Sequence, residues 1–211
     1  LRKEDFVGMS DSDFDRPMLR AVGVDFAISK ADKANRTSFT VGGKDSDNYL
    51  NFLDQYVGRW DALEIIEKFF EIQVTHGPDC FFVEDGQIWK AIRPMLDREM
   101  LKRDCFINCF ARTPITDKAS RGRSFQRRMR ARACRFNKQA SWYPGYEDEL
   151  LRFTGHSEAT LDDQFDSSAL LSLGFDDLAE VEEADFLDDE ELEARSHNPR
   201  KYSGRSKVTG Y

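Results

Sequence analysis

The sequence predicts an α/β fold in which a mixed sheet, an antiparallel meander followed by parallel strands, is flanked by helices. Two observations carry this prediction. Three strand-like apolar runs come early in the chain, and later apolar runs alternate with helical patterns. The 211 residues suffice for one full hydrophobic core. With 40% hydrophobic and 33% charged residues, and no apolar run of about 18 residues, the chain has a globular composition without a membrane span.

The first half of the chain carries three predicted strands, a helix and a fourth strand. The first three runs are rich in β-branched and apolar residues and are separated by turn residues, which predicts the meander. Asp61 is the predicted N-cap of the helix, which ends before Gly77. The fourth run is uninterrupted and apolar, as in a strand covered on both faces. The four predicted strands are Leu19–Ser29, Thr37–Val41, Tyr49–Trp60 and Cys80–Val83.

The second half of the chain alternates helices with short strands. Pro94 predicts a kink or break in the first of these helices. The predicted elements are a helix over Gln87–Lys102, a buried strand over Cys105–Phe110, a basic helix over Thr116–Ala133, an extended piece over Arg135–Asn137, and helices over Gly145–Phe153 and Thr160–Leu173. This order of elements is the one found in ribonuclease H-like folds.

Carboxylates stand at the ends of two predicted buried strands. Asp25 lies in the apolar run VGVDFA, and Glu84 directly follows the run CFFV. An unpaired buried carboxylate costs several kcal/mol, so Asp25 either accepts backbone hydrogen bonds or binds a ligand. Because ligand sites of open α/β sheets form at strand ends, two such acids favour a ligand site.

A further acidic group opens the last predicted helix. Asp162, Asp163 and Asp166 fall in its first turns, and Asp166 shares a helix side with one of the other two. A favourable interaction with the helix dipole is an alternative that needs no ligand. Combined with Asp25 and Glu84, the three acids predict an oxygen-ligand site for Mg²⁺ or Mn²⁺.

Other kinds of site have no support in the sequence. The four cysteines contain no C-x-x-C pair, and the three histidines lack zinc-ligand spacing. Gly42-Gly43-Lys44 lacks the first Gly and the following Ser or Thr of a P-loop. No G-x-S-x-G motif is present, so acyl-transfer chemistry is not predicted.

The net charge of −8 conceals a separation of charge along the chain. Lys118–Lys138 holds nine basic residues and no acidic one, whereas Asp176–Glu193 holds eleven acidic residues and no basic one. The basic run suits contacts with the DNA backbone, and a solvated surface helix is the alternative. The predicted DNA contacts are Lys118, Arg121, Arg123, Arg127, Arg128 and Arg130.

Five segments of the chain resemble, in order, the C-terminal nuclease domain of the large terminase subunit of tailed bacteriophages. They are VGVDFA, FFVEDG, KASRGRSFQRRMRARACRFNK, WYPGYEDELLRF and LDDQFD, and the resemblance covers roughly Ala21 to Phe175. It implies a ribonuclease H-like nuclease domain over residues 19–175 and a linker over residues 1–18 from a preceding ATPase domain. Residues 176–211 would then form an acidic segment and a basic C-terminal tail.

The resemblance also implies the chemistry of the site. Asp25, Glu84 and Asp163 match the catalytic acids of the family. The implied reaction is phosphodiester hydrolysis of concatemeric viral DNA with two Mg²⁺ or Mn²⁺ ions about 4 Å apart. Asp25 would bridge the ions, Glu84 and Asp163 would complete one each, and Asp162 or Asp166 would position a water molecule. Which of Asp162, Asp163 and Asp166 binds metal directly stays open.

The resemblance further implies partners and a location. The partners would be double-stranded viral DNA, the portal protein of the procapsid and the small terminase subunit. Binding to a membrane is not expected. The location would be the cytoplasm of the infected bacterial host, with transient docking on the portal. Two alternatives stay open: a junction resolvase or transposase-type nuclease of the same fold, and a catalytically silent module that binds DNA or the portal.

Overall fold

A computed structural model describes residues 1–27, 36–113, 122–153 and 162–178 of the chain. The chain divides into two units, Leu1–Gly174 and Phe175–Tyr211. Of the second unit the structure describes residues 175–178, which are helical. None of the described helices is long and apolar enough to cross a membrane.

Strands and helices alternate along most of the described chain. The strands are β1 (Val7–Gly8), β2 (Met18–Asp25), β3 (Thr37–Asp45), β4 (Leu50–Gly58), β5 (Cys80–Glu84), β6 (Cys109–Arg112) and β7 (Cys134–Phe136). The helices are α1 (Asp11–Phe14), α2 (Ala62–His76), α3 (Gln87–Arg103), α4 (Arg123–Arg130), α5 (Tyr143–Arg152) and α6, which covers 163–178. A 3-10 helix, Lys3–Asp5, precedes β1.

The described strands form one mixed sheet in the order β1-β7-β4-β3-β2-β5-β6. Strands β2, β3 and β4 are antiparallel, as the predicted meander requires. Strands β5 and β6 add in parallel on the β2 side, and β7 and β1 add in parallel on the β4 side. The predicted α/β class, with a meander followed by parallel strands, is confirmed.

Helix α2 is the crossover that leads from the meander to β5, and its ends are those that the sequence predicts. The Asp61 carboxylate accepts hydrogen bonds from the amides of Leu63 and Glu64 at 3.1 and 3.0 Å. Gly77 follows the helix with φ 53°, a left-handed conformation that favours glycine. The helix therefore returns the chain to the edge at which β5 begins.

The two faces of the sheet are covered differently, because side chains alternate along each strand. One face forms the main apolar core with α2 and α3. The residues that share this core include Val22, Val24, Phe39, Phe69, Phe81, Val83, Trp89 and Ile92. The opposite face carries Gly23, Ser38 and Phe82, which lie against α6.

Helix α6 lies directly on the backbone of the sheet. A Cβ atom at Gly23 would meet the carbonyl oxygen of Ser167 at 2.1 Å and the amide nitrogen of Leu171 at 2.7 Å. The Ser167 hydroxyl also forms hydrogen bonds with the hydroxyls of Ser38, at 2.9 Å, and Thr40, at 2.7 Å. Small and hydroxyl side chains thus set the position of α6 over β2 and β3.

Residues 1–18, the predicted linker, contain a short strand, β1, that belongs to the sheet. Strand β1 pairs in parallel with β7. Phe6 is 4% exposed, and its ring centroid lies 5.3 Å from that of Phe136. A two-residue strand and one buried aromatic residue produce no periodic pattern, so the sequence carried no signal for this structure.

Several predicted boundaries also move. Strand β3 continues past Val41 to Asp45. Gly42, in this added part of the strand, allows the Leu171 side chain to approach closely. Strand β6 begins at Cys109, later than predicted, and α3 continues through Pro94 without a break. Helix α4 ends three residues before the predicted Ala133, because Arg132 has φ 58°. The predicted start of that helix lies outside the described residues.

Candidate functional site

Two of the predicted carboxylates lie side by side at the ends of parallel strands. Val24 of β2 is opposite Val83 of β5, and Asp25 and Glu84 are the next residues of these strands. Neighbouring strands are about 4.8 Å apart, so the two backbones hold these acids close together. Both residues are half-buried. By alternation they share the face of Gly23, the face that α6 covers.

The third predicted acid reaches the same edge of the sheet from α6. Asp163 is the first residue of α6 and is 2% exposed. Its carboxylate accepts hydrogen bonds from Nε of Arg36 at 2.9 Å and from the Arg36 backbone amide at 3.3 Å. Arg36 immediately precedes β3, whose first residues pair with the end of β2. Asp163 therefore lies at the edge, and on the face, that carries Asp25 and Glu84.

Arg36 joins Asp163 to a second buried carboxylate. Its Nη2 donates to Oε2 of Glu149, in α5, at 2.6 Å. Glu149 also accepts hydrogen bonds from the backbone amide of Gln164, at 2.8 Å, and from the Gln164 side chain, at 2.6 Å. The side chains of Arg36, Glu149 and Asp163 are 18%, 7% and 3% exposed. We call Arg36, Glu149, Asp163 and Gln164 the Arg36 cluster.

Burial and charge act against each other in this cluster. Burial raises the pKa of Asp163 above its ordinary value, and the hydrogen bonds and charge of Arg36 offset only part of that effect. Burial lowers the pKa of Arg36, but the hydrogen bonds and charges of Glu149 and Asp163 outweigh it and raise the pKa overall. Asp163 is thus a carboxylate whose ionised form depends on a neighbouring cation.

The other two predicted acids flank Asp163 at the start of α6. Asp162 is half-buried and directly precedes the helix, and its carbonyl oxygen accepts the first helical hydrogen bond, from the amide of Asp166, at 2.8 Å. Asp166 itself is buried. Two of the five predicted acids therefore stand on neighbouring strand ends, and the other three lie at the start of α6.

The donor set fits a hard divalent cation. Within the described ranges, no three His, Cys, Asp or Glu side chains are arranged so that they could hold a metal ion. In this arrangement the Asp163 carboxylate binds Arg36 instead. The chemistry of the donors still suits Mg²⁺ or Mn²⁺, because all of them are carboxylates and two already stand on neighbouring strand ends.

The basic helix α4 packs on the sheet face that α6 also covers. The Phe125 ring lies 5.6 Å from that of Phe52, in β4, and 5.7 Å from that of Phe165, in α6. Ser124 and Ser172 share a hydrogen bond of 3.1 Å between their hydroxyls. The apolar side of α4 is thus buried toward the sheet and α6.

The arginines of α4 lie mostly on its outer side. Arg123, Arg127 and Arg130 are exposed, while Arg128 is half-buried and donates to the Asn48 carbonyl at 3.4 Å. The other two predicted DNA contacts, Lys118 and Arg121, lie outside the described residues. Three of the four arginines of α4 therefore face solvent on the side of the sheet that carries the acids.

Solved structures match this chain over most of its length. The magnesium-bound large terminase nuclease of the thermophilic phage G20c matches with a TM-score of 0.55 and 16% identity, over 74% of this chain and 81% of that chain. The ADP-bound large terminase of another thermophilic bacteriophage matches with a TM-score of 0.56 and 13% identity, over 82% of this chain. This chain has the ribonuclease H-like fold of large terminase nuclease domains.

The ribonuclease H-like chain is shorter than some of the proteins it matches, since it covers 42% of the ADP-bound large terminase. The yeast mitochondrial Holliday junction resolvase matches with a TM-score of 0.47 and 13% identity, over 74% of this chain and 81% of that chain. No protein-family model matches the chain, and no curated protein sequence matches it.

The sequence did not identify Arg36, Glu149 or Gln164 as part of this candidate site. Glu149 had a signal, because Tyr146 and Leu150 place it on the buried side of its helix. Arg36 had none, since its two carboxylate partners are 113 and 127 residues away along the chain. Only the packing of α5 and α6 at the edge of the sheet brings these groups together.

Proposed function

We propose that this chain is a divalent-metal-dependent DNA endonuclease, the nuclease domain of a phage large terminase, which cleaves concatemeric viral DNA when genome packaging starts and ends. The observation that carries the proposal is the common position of Asp25, Glu84 and Asp163 at one edge and on one face of a ribonuclease H-like sheet. The match to terminase nucleases, one of them with bound magnesium, supports this choice among nucleases of the same fold.

In the proposed reaction the carboxylates would hold two Mg²⁺ or Mn²⁺ ions. Asp25 would contribute to both ion sites, Glu84 to one and Asp163 to the other, and Asp162 or Asp166 would orient water. Bound divalent cations supply charge stabilisation for the attacked phosphodiester and its leaving oxygen. The strand ends hold Asp25 and Glu84 rigidly, so little reorganisation is needed at these two positions.

The exposed arginines of α4 are the proposed DNA contacts. Helices α4 and α6 cover the same face of the sheet, so a duplex bound along Arg123, Arg127 and Arg130 approaches the acids from their own side. Arginine contacts to phosphates carry no base recognition. The proposed nuclease therefore binds duplexes of any sequence.

The direct test is nicking of a supercoiled plasmid by the purified chain. We expect cleavage in Mg²⁺ or Mn²⁺, none after chelation, and none with Asp25→Asn or Glu84→Gln. Asp85→Asn is the matched control, because Asp85 adjoins Glu84 but is paired with Lys90 at 3.4 Å and its side chain is 43% exposed. Wild-type cleavage by the Asp25→Asn variant would contradict the proposed site.

A catalytically silent DNA-binding module is the second candidate, and one observation favours it. Arg36 occupies the Asp163 carboxylate, and the described residues contain no assembled metal cluster. A silent module predicts undiminished duplex binding without cleavage in either metal. Comparing a four-way junction with a linear duplex in the same assay separates a resolvase from a terminase, because a resolvase cleaves the junction preferentially.

The remaining parts of the proposal concern assembly. As a terminase domain, the chain would act in the cytoplasm of the infected host and would meet the portal protein and the small terminase subunit there. Co-purification with a portal ring tests this part of the proposal. A chain that cleaves DNA but binds no portal protein would support the nuclease activity and contradict the packaging role.

A further inference from the structure

The Arg36 cluster contains two ion pairs, one of which occupies Asp163, a ligand of the proposed metal site. One guanidinium lies between two buried carboxylates, so the charged groups of the cluster sum to −1. A guanidinium and a divalent cation both need the oxygens of Asp163. They also repel each other strongly at short range, because the surroundings are mostly desolvated. Arg36 and a metal ion bound by Asp163 are therefore competitors.

We propose that Arg36 is the resident counter-ion of Asp163, and that a divalent cation binds this site by displacing Arg36 from Asp163 while Glu149 retains it. This inference rests on the proposed function, since it requires Asp163 to be a metal ligand. Glu149 is then a positioning residue, which determines where Arg36 goes when the cation arrives.

The contacts of Glu149 suit this role. Its Oε1 accepts the Gln164 amide, and its Oε2 accepts both the Gln164 side chain and Arg36. Two of these three hydrogen bonds do not involve Arg36, so Glu149 keeps its place when Arg36 moves. Arg36 in turn keeps a charge-assisted hydrogen bond of 2.6 Å after leaving Asp163.

The exchange also avoids a buried unpaired charge. Without a cation, Asp163 would be a desolvated carboxylate close to Glu149, which is unfavourable unless a positive group is present. Arg36 supplies that group in the metal-free protein, and the cation supplies it in the bound protein. A permanent structural ion pair would instead leave the cation without Asp163, and Arg36 would not affect metal affinity through Asp163.

The test is calorimetric titration of Mn²⁺ into the full chain, with a charge series of variants. Arg36→Gln changes the cluster charge to −2, Glu149→Gln changes it to 0, and the double variant keeps −1 without the competitor. We expect Arg36→Gln to lower the Kd for Mn²⁺ on the order of tenfold and Glu149→Gln to raise it. The double variant should bind more tightly than wild type despite its equal cluster charge.

A control variant, thermal unfolding and a conservative variant separate competition from misfolding and from net charge. Arg103→Gln is the matched control, because Arg103 pairs with Glu67 and Glu99 on α2 and α3, on the other face of the sheet. Its Kd should equal that of wild type. Thermal unfolding without metal should show a lower Tm for Arg36→Gln, and Mn²⁺ should raise that Tm more than it raises the wild-type Tm. Arg36→Lys keeps the positive charge but loses the two-pronged guanidinium. Its Kd for Mn²⁺ should lie between those of wild type and Arg36→Gln.

Each outcome decides between the inference and the function on which it rests. An unchanged or higher Kd for Arg36→Gln overturns the inference and leaves the nuclease proposal intact, as does a double variant equal to wild type. If neither wild type nor Arg36→Gln binds Mn²⁺, both the counter-ion inference and the proposed metal-dependent function are contradicted. If binding tightens as expected but Asp25→Asn still cleaves DNA at the wild-type rate, the counter-ion role stands and the catalytic assignment falls.

Discussion

The candidate site depends on Gly23, because a residue with a side chain would not fit at this position. Gly23 lies two residues before Asp25 on the same face of β2, at the point where α6 touches the strand. The atoms that a Cβ would meet belong to the helix backbone, which has little freedom to yield. The distance between α6 and β2, and with it the position of Asp163 relative to Asp25, therefore depends on glycine here.

We expect Gly23→Ala to lower the free energy of unfolding by about 2 kcal/mol, because the added methyl group overpacks a backbone contact. The loss of metal-dependent nicking should be larger than this destabilisation explains, since α6 carries Asp163. Urea unfolding at several Mg²⁺ concentrations, together with plasmid nicking by the same variant, measures both effects.

Gly145→Ala is the matched control for this prediction. A Cβ at Gly145 has no neighbour within 4 Å, and the residue lies inside α5. Replacing it should leave stability unchanged or raise it by up to about 1 kcal/mol, as alanine favours helix. Equal urea midpoints for the two variants would show that α6 does not need the close approach.

At the scale of elements, α4 combines two functions on its two sides. Phe125 and Met129 are buried and anchor the helix. Arg123, Arg127 and Arg130 are exposed, and the helix carries no acidic residue that would neutralise them. An exposed arginine row on a firmly packed helix is suited to phosphate contacts, because the support holds the charges in register.

We expect Arg127→Glu with Arg130→Glu to weaken duplex binding to the same extent for all sequences. The slope of log K against log salt should fall by about 0.9 for each lost phosphate contact. Fluorescence anisotropy on two unrelated duplexes, over a series of salt concentrations, measures the affinity and the slope together.

The matched control reverses two charges on the opposite face. Arg98 and Lys102 are exposed on α3, so Arg98→Glu with Lys102→Glu changes the net charge equally. Binding that falls as much in this control as in the α4 variant would mean that overall charge, and not the α4 surface, determines DNA affinity.

At the scale of the whole molecule, the N-terminal segment and the sheet form one folded body. Beyond the β1–β7 pairing, Arg135 of β7 donates to Asp13 at 2.8 Å and stacks over the ring of Tyr49 at 3.6 Å. Asp13 also accepts hydrogen bonds from Ser10. Residues before β2 are therefore part of the structure that supports β4 and β7.

We expect Phe6→Ala to lower the free energy of unfolding by about 3 kcal/mol, since the truncation leaves a cavity beside Phe136. Phe14→Ala, at a residue 40% exposed on the same segment, should cost less than about 1 kcal/mol. Urea unfolding of both variants measures the difference. Equal costs would mean that residues 1–18 are the linker that the sequence predicted.

Local patterns in the sequence determined most of the elements and predicted the acids of the candidate site. Asp61 and Gly77 delimit α2 through capping chemistry that acts within one helical turn. The apolar run CFFV predicts β5, and the acids Asp25 and Glu84 stand out because they end such runs. These features are readable because their physical causes lie within a few residues of each other along the chain.

Only the tertiary structure decided what those elements contact. The approach of α6 to Gly23 joins residues far apart in sequence, and so does the two-residue strand β1, which is stable only because β7 lies beside it. The same is true of the site, where Arg36 meets Asp163 across 127 residues. Such contacts form when whole helices and strands pack, because burial then makes each unpaired charge costly and selects the partner that neutralises it.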